Sequence, residues 1–270
     1  MADKPQLNVV GTSPVRHDGV DKVTGRAIFG VDVALPGMLH ARVLRSPHAH
    51  ARITHIDTSA ADRLPGGAAT VVGTDVSSEP LDGPAAVANP IRLKALNAMA
   101  QGTVMYHGHA VAAVAAVSPH VADEALRHIR VEYEVLTPVV DISAALAPDA
   151  PILHPDLRME TAGSFADDPS NLAKHLVLEE GDITSGFEMA DVVVERTFST
   201  STVHQGYIEP HNACAFWRSD GTLELHCSSQ GHFGIRNEVS QILGIPISTI
   251  RVVPAAVSYT HLTLPTSDLV

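Results

Sequence analysis

The residue types best suited to chemistry are concentrated in one part of the second half of the chain. His204, Glu209 and His211 lie close together, and the pair Gln230-Gly231 follows a short distance later. Two histidines and a carboxylate at such spacing are compatible with a metal site or with polar side chains around a ligand. From its type alone, Gln230 is a polar residue at the start of a helix. Glu209 either orients a substrate or holds a loop in place, and the residues alone leave both roles open.

The elements that must position these residues have clear sequence signals. A hairpin turn is indicated by Asp220-Gly221, because this pair readily adopts positive φ angles. A helix is predicted to end at Gly244. Gln230 therefore falls between a strand and a helix. The predicted elements are strands over residues 213–218, 222–227 and 250–253 and a helix over residues 232–243.

The first two thirds of the chain mix strand and helix signals, which predicts an α+β fold. One helix is well marked, because Ser118 is a suitable N-cap and Pro119 stands at the first helical position. Asp182 can cap a second, shorter helix that continues to Met189. Strands are predicted over residues 27–33, 39–44, 51–56, 70–72, 111–117, 130–135, 175–179 and 191–198.

Composition argues against several classes of function. The net charge of −12 disfavours nucleic-acid binding, which needs a basic face. Neither an apolar run of about 18 residues nor a signal-peptide core is found, so we expect no membrane span and a cytoplasmic protein. Cys214 and Cys227 are too few for an iron–sulfur cluster, which needs about four ligands. We expect both to be small buried hydrophobes rather than a disulfide. Gly19, Gly25 and Gly30 fit neither nucleotide-binding fingerprint.

One long segment has a recognisable family pattern. Residues 202–254 read TVHQGYIEPHNACAFWRSDGTLELHCSSQGHFGIRNEVSQILGIPISTIRVVP. This resembles the start of the cofactor-binding part of the large, molybdenum-carrying subunit of the xanthine dehydrogenase and aldehyde oxidase family. Earlier segments are similar to that family in the same order: VGTSPVRHDGVDKVTGRAIFGVD, LRSPHAHARITHID, GHAVAAVAAVSPHVADEALRHIRVEYEVL and SNLAKHLVLEEGDITSGFEMADVVVERTF. The resemblance covers about residues 11–255.

The resemblance implies an α/β hammerhead domain followed by a first molybdopterin-binding domain. We expect the second domain to be truncated, because the family continues into a Gly-rich loop, GGGFGGK, where this chain reads AAVSYTHLTLPTSDLV. That ending resembles translated vector sequence. The expected limits are an N-terminal extension over residues 1–18, the hammerhead domain over 19–145, a linker over 146–173, the start of the molybdopterin-binding domain over 174–257 and a foreign tail over 258–270.

The resemblance also implies roles for single residues. The residue that matches Gln230 lies beside the molybdenum, and its amide donates a hydrogen bond to an oxygen on the metal, with Gly231 next to it. This chain has Ser229 before that glutamine, where the family often has threonine. His204 and Glu209 match a segment that lines the approach of the substrate. No protein ligand to the metal is expected, because the sulfurs of the pterin hold the molybdenum.

The activity implied is that of a molybdenum hydroxylase, which oxidises a small-molecule substrate with water-derived oxygen: a purine, an N-heterocycle, an aldehyde or a related aromatic compound. The expected cofactor is molybdopterin with molybdenum, in its cytosine dinucleotide form. Electrons would pass to a [2Fe–2S] subunit and an FAD subunit in a dimer of heterotrimers. The alternative is a non-catalytic assembly or binding module. No catalytic base is assigned, because the family's glutamate base has no match here, and we expect these 270 residues to be inactive alone.

Overall fold

The computed structural model describes residues 8–76, 90–155, 157–204, 206 and 209–256. The strands are β1 (His40–Arg45), β2 (Ala51–Asp57), β3 (Gly67–Val72), β4 (Thr103–Val104), β5 (Ala110–Ala116), β6 (Arg130–Val135), β7 (Arg158–Thr161), β8 (Ser164–Pro169), β9 (Lys174–His175), β10 (Ala213–Trp217), β11 (Leu223–Cys227) and β12 (Ile250–Pro254). The α-helices are α1 (Gly19–Val23), α2 (Ser59–Asp62), α3 (Gly73–Val76), α4 (Pro90–Ala98), α5 (Pro119–His128), α6 (Ile142–Ala145), α7 (Ile183–Glu188) and α8 (His232–Leu243).

The chain forms two compact units. The larger contains residues 36–202 with Gln241–Gly244, and the smaller contains the described residues of 8–35, 203–240 and 245–256. Helices and strands are mixed along the chain, which confirms the predicted α+β class.

The larger unit is built on two antiparallel sheets of three strands, with orders β1-β5-β3 and β4-β2-β6. Its central strand β5 reads AVAAVAA and is buried at most positions, because it pairs on both edges and all its side chains are apolar. Helix α5 packs on β1 and β5 through Ala122 and Ala125. The Ser118 side chain accepts a hydrogen bond from the backbone N–H of Val121, and Pro119 is the first helical residue, so the predicted N-cap is confirmed.

A buried histidine of the larger unit joins the end of α4 to the segment after β4. His109 is fully buried, and its ring stacks on Tyr106 with centroids 4.3 Å apart. Because Nε2 lies 2.7 Å from the carbonyl of Leu96, Nε2 must donate, and Nδ1 then accepts from the backbone N–H of Met105 at 3.3 Å. Burial, opposed by the hydrogen bond to Leu96, lowers the pKa of His109. The neutral ring is therefore the form that the fold requires.

This depressed pKa predicts acid lability of the larger unit. Between the folded pKa and about 6.5 the unfolded histidine binds more protons than the folded one, so stability falls as the pH falls through that window. We expect His109→Gln to reduce the slope of the unfolding free energy against pH by up to about 1.4 kcal/mol per pH unit. Urea unfolding from pH 5 to 8 measures this slope. The control His120→Gln changes an exposed histidine of α5 and should keep the wild-type slope. Identical slopes in His109→Gln and wild type would contradict the assignment.

The segment expected to be a linker contains strands instead. β7 and β8 form an antiparallel hairpin, and β9 adds to β7 in parallel. The turn between them places Ala162 at φ 49° and Gly163 at φ 83°, the pair of positive angles that a tight hairpin needs. The sequence did not predict this turn, because an Ala-Gly pair is a weaker turn signal than Asn-Gly or Asp-Gly. The surrounding residues, rich in Pro and Asp, indicated a loop.

Three strand predictions were wrong in extent or existence. Residues 27–33 contain a 3₁₀ turn at Gly30–Asp32, the strand expected over 175–179 is limited to β9, and residues 191–198 form no strand. In the last case the apolar alternation has no partner: Val192 is 78% exposed and Phe198 is 87% exposed. Apolar periodicity alone therefore did not produce a strand where no neighbour supplies hydrogen bonds.

The smaller unit carries one sheet of order β10-β11-β12. β10 and β11 form the predicted antiparallel hairpin, with Gly221 at φ 81°, whereas β12 pairs with β11 in parallel. Helix α8 ends at Gly244, at φ 65°, as predicted. Cys227 is buried and Cys214 partly buried, neither of them in a disulfide, and burial raises the pKa of Cys227. In the part of the chain that the structure describes, no helix is long and apolar enough to cross a membrane.

Candidate functional site

The candidate residues meet at one edge of the smaller unit's sheet. β11 and β12 are parallel, with Cys227 paired to Pro254, so both strands end at the same edge. β10 is antiparallel and begins there, with Ala213 paired to Cys227. We call this the carboxyl edge. Segments 209–212, 228–231 and 255–256 all lie next to it, at the kind of position where open sheets bind ligands.

Glu209 is joined to the turn that carries Gln230. The hydroxyl of Ser228 donates to Glu209 Oε1 at 2.8 Å, and the carbonyl of Ala256 lies 3.3 Å from the same hydroxyl. Gln230 follows Ser228 by two residues in the chain. Two of the residues singled out from the sequence are thus held in one neighbourhood by a hydrogen bond.

Gln230 and Gly231 directly precede α8 and are both exposed. The turn is fixed by Ser229, whose hydroxyl accepts from the backbone N–H of Gly231 at 3.0 Å. The side chain of Gln230 makes no hydrogen bond to any described residue, and a Cβ at Gly231 would meet nothing within 4 Å. A neutral amide donor and the first N–H groups of a helix of 12 residues therefore face open space, an arrangement that suits a ligand with anionic oxygens or sulfurs.

The contact described for His204 is local. His204 is exposed, and the hydrogen bond that orients its ring is local, from the backbone N–H of Gly206 to Nδ1 at 3.0 Å. No group of three or more His, Cys, Asp or Glu side chains within the described ranges could hold a metal ion. The role predicted for His204 in substrate approach stays a prediction.

Three residues of the neighbourhood were missed from the sequence: Gly30, Asn212 and Ser228. The backbone N–H of Ala256 donates to Ile28 at 2.9 Å, so the N-terminal segment is joined to the end of β12. A Cβ at Gly30 would lie 1.9 Å from Asn212 Oδ1 and 3.1 Å from the Ser228 hydroxyl. The only sequence signal was a glycine, which often marks close approach of two backbones. We call this set, residues 28–30, 209–212, 227–230 and 254–256, the Ser228 junction.

A cavity of about 340 Å³ lies between α8 and β12 and is lined by two arginines, but both have structural partners. Arg236 donates through Nε and Nη2 to the carbonyl of Ile247, at 3.0 and 2.8 Å. Arg251 lies 3.5 Å from Glu224 on the sheet. Arg236 holds the helix-to-strand connection and Arg251 pairs with the neighbouring strand, so we assign the cavity no ligand.

Comparison with known families assigns the chain. Residues 24–137 match the family model described as aldehyde oxidase and xanthine dehydrogenase, a/b hammerhead domain, and residues 165–257 match the molybdopterin cofactor-binding domain. The chain belongs to the xanthine dehydrogenase and aldehyde oxidase family. The order of its two domains confirms the predicted fold, a hammerhead domain followed by a molybdopterin-binding domain.

Curated relatives in the family include subunits of dehydrogenases. The large molybdopterin subunit of nicotinate dehydrogenase from Eubacterium barkeri is 32% identical over 92% of this chain and 53% of its own length. A probable xanthine dehydrogenase subunit from Bacillus subtilis is 32% identical over 89% of this chain and 30% of its own length. The chain therefore spans about half or less of the curated relatives named here.

Solved structures agree with this assignment. CO dehydrogenase from Oligotropha carboxidovorans is 30% identical with a TM-score of 0.73, over 92% of this chain and 31% of that one. Quinoline 2-oxidoreductase from Pseudomonas putida is 30% identical with a TM-score of 0.68, over 92% of this chain and 30% of that one. This chain therefore carries a molybdopterin cofactor-binding domain of a family whose named members include dehydrogenases and oxidoreductases.

The residues present at the carboxyl edge fit the family's cofactor. A molybdopterin offers phosphate and sulfur acceptors, and this edge offers donors: the Gln230 amide and the first N–H groups of α8. The open space above Gly231 would admit a bulky group. The predicted cofactor-binding role of Gln230 and Gly231 is chemically consistent with this geometry.

Proposed function

We propose that this protein binds the molybdenum cofactor of an oxidoreductase at the carboxyl edge, with Gln230 as a hydrogen-bond donor to the cofactor. The observation that carries the proposal is the Gln230 amide, which is exposed directly before α8 and makes no hydrogen bond to a described residue. A neutral donor suits a site at which the bound group already carries its own charge, because it polarises an acceptor without adding a charge.

The molybdenum cofactor, when bound, supplies two-electron oxidation with oxygen taken from water. The chain's own part is to orient this group. Gln230 donates its amide N–H, Gly231 leaves room for a close approach, and the N-terminal end of α8 contributes its partial positive charge. His204 belongs to the approach of the substrate in this proposal, and Glu209 lies beside the Gln230 turn.

We propose that the substrate is a small N-heterocycle. Purines, aldehydes and related aromatic compounds are the further candidates. The names of the relatives support this order, since they refer to nicotinate, xanthine and quinoline. Turnover is proposed for the complete subunit rather than for these 270 residues alone, because the relatives extend well beyond the matched region. We further propose the cytosine dinucleotide form of the cofactor, and [2Fe–2S] and FAD partner subunits in a dimer of heterotrimers.

Metal and pterin analysis of the purified complete natural subunit, with its partners, tests the proposal. We expect about one molybdenum atom per subunit, and acid hydrolysis should release CMP if the cofactor is the cytosine dinucleotide. A protein purified without molybdenum from cells that supply it to other molybdenum enzymes would instead support the non-catalytic assembly module. Release of GMP or of no nucleotide would refute only the dinucleotide form.

A further inference from the structure

The Ser228 junction brings four separate chain segments to the carboxyl edge. Cys227 accepts from the backbone N–H of Ala255 at 3.1 Å, and Ile28 accepts from that of Ala256 at 2.9 Å. The end of β12 is therefore held on one side by β11 and on the other by the N-terminal segment. Ser228 is the side chain in the middle, because its hydroxyl lies within hydrogen-bond distance of both Glu209 and Ala256.

One proton on the Ser228 hydroxyl must serve two acceptors. The carboxylate oxygen of Glu209 lies at 2.8 Å and the carbonyl oxygen of Ala256 at 3.3 Å. A hydrogen bond to an ionised carboxylate is shorter and stronger than one to a neutral carbonyl. The hydroxyl therefore donates to Glu209, the nearer acceptor, and this bond connects the segment before β10 with the turn after β11.

Local hydrogen bonds make each connected segment stiff. The Asn212 amide donates to the carbonyl of Pro210 at 3.0 Å, which closes the turn directly after Glu209. The Ser229 hydroxyl accepts from Gly231 at 3.0 Å, which closes the turn around Gln230. A single bond between two stiff segments fixes the position of one against the other, which a bond between two flexible segments would not do.

Gly30 closes the junction from the N-terminal side. The place that a Cβ would occupy is 1.9 Å from Asn212 Oδ1, a buried oxygen that has no hydrogen-bond donor among the described residues. Only the α-hydrogen of a glycine fits there, and it offers at best a weak C–H···O contact. The N-terminal backbone thus covers Asn212 and Ser228 and limits the movement of both.

We propose that Ser228 is a positioning residue that sets the place of the Gln230 turn by holding Glu209, and that Glu209 acts through this bond rather than on the substrate. The inference rests on the proposed role of Gln230 at the cofactor. It also decides between the two roles that the sequence left open for Glu209. Gly30 and Asn212 keep the junction closed, so their effect on the site is indirect.

Hydrogen–deuterium exchange of the complete natural subunit, with and without cofactor, tests this connection. We expect Ser228→Ala and Glu209→Ala each to speed exchange of the hydrogen-bonded amides of Gly231 and Ile235 by about tenfold, the equivalent of one lost hydrogen bond. The double variant should exchange no faster than either single variant, because both remove the same bond. Glu209→Gln keeps an acceptor oxygen and should stay close to wild type.

Ser240→Ala is the matched control, since that hydroxyl also makes a hydrogen bond, to Ile245 at 2.7 Å, but away from the junction. It should leave exchange of the Gly231 and Ile235 amides unchanged. Unchanged exchange in Ser228→Ala, or additive effects in the double variant, would overturn the inference. The readout needs no bound molybdenum, so a failure of the proposed function would leave this result interpretable, and a failure here would leave the cofactor proposal standing.

Discussion

Replacing Gln230 by alanine is expected to lower the turnover number of the molybdenum-loaded enzyme by about 10²-fold, the usual cost of losing one donor aimed at developing negative charge. The residue makes no hydrogen bond to a described residue, so the loss should not act through the fold. We expect the melting temperature and the molybdenum content to stay close to wild type. Steady-state kinetics with metal analysis of the same samples measures both effects.

Gln241→Ala is the matched control, because Gln241 is also an exposed glutamine and lies near the other end of α8. It removes the same kind of amide near the opposite end of α8 without touching the carboxyl edge, and its turnover should equal that of wild type. Equal turnover in Gln230→Ala and Gln241→Ala would remove Gln230 from the site. A loss of turnover that follows a loss of molybdenum would instead give Gln230 a role in cofactor retention.

Gly73→Ala is expected to destabilise the larger unit by about 3 kcal/mol, at the upper end of overpacking costs. Gly73 is buried, and a Cβ there would lie 2.0 Å from the carbonyl oxygen of Ala100. That carbonyl belongs to a buried residue whose N–H donates to Ala110 at 2.8 Å, so the backbone cannot move away without breaking a strand-end contact. For a unit of this size the melting temperature should fall by about 6–12 °C in calorimetry.

Gly186→Ala is the matched control, because it makes the same chemical change at a place where we expect no loss of stability. Gly186 lies in α7 and is exposed, and a Cβ added there would have no neighbouring atom within 4 Å. We expect it to be neutral or to stabilise by about 0.4–1 kcal/mol, because alanine narrows the unfolded ensemble and favours the helix. If Gly73→Ala melted at the wild-type temperature, the close approach between Gly73 and Ala100 would be refuted.

The sequence predicted the elements whose signals are local. The N-cap at Ser118, the Asp-Gly hairpin turn and the helix ended by Gly244 were all confirmed, because a few neighbouring residues decide each of them. The predictions over 27–33 and 191–198 were wrong because apolar runs form strands only where another strand supplies hydrogen bonds. Residues 258–270, predicted as a foreign tail, lie outside the described residues.

For the candidate site, the sequence identified the donor but not what holds it. Gln230 and Glu209 could be singled out by their types and by a family pattern. Ser228, Asn212 and Gly30 could not, because their importance arises from contacts between segments that are distant in the chain. Long-range contacts of this kind leave no periodic trace in a sequence, and only the packing of the folded chain brings them together.

The location of the molybdenum tests the central claim most directly. Crystals of the purified natural enzyme, measured on both sides of the molybdenum absorption edge, would give the metal position from its anomalous signal without assumptions about the protein. We expect the peak beside the Gln230 side chain, at the carboxyl edge defined by Cys227 and Pro254. A fully occupied peak elsewhere in the protein, with the Gln230 amide facing solvent, would contradict the account.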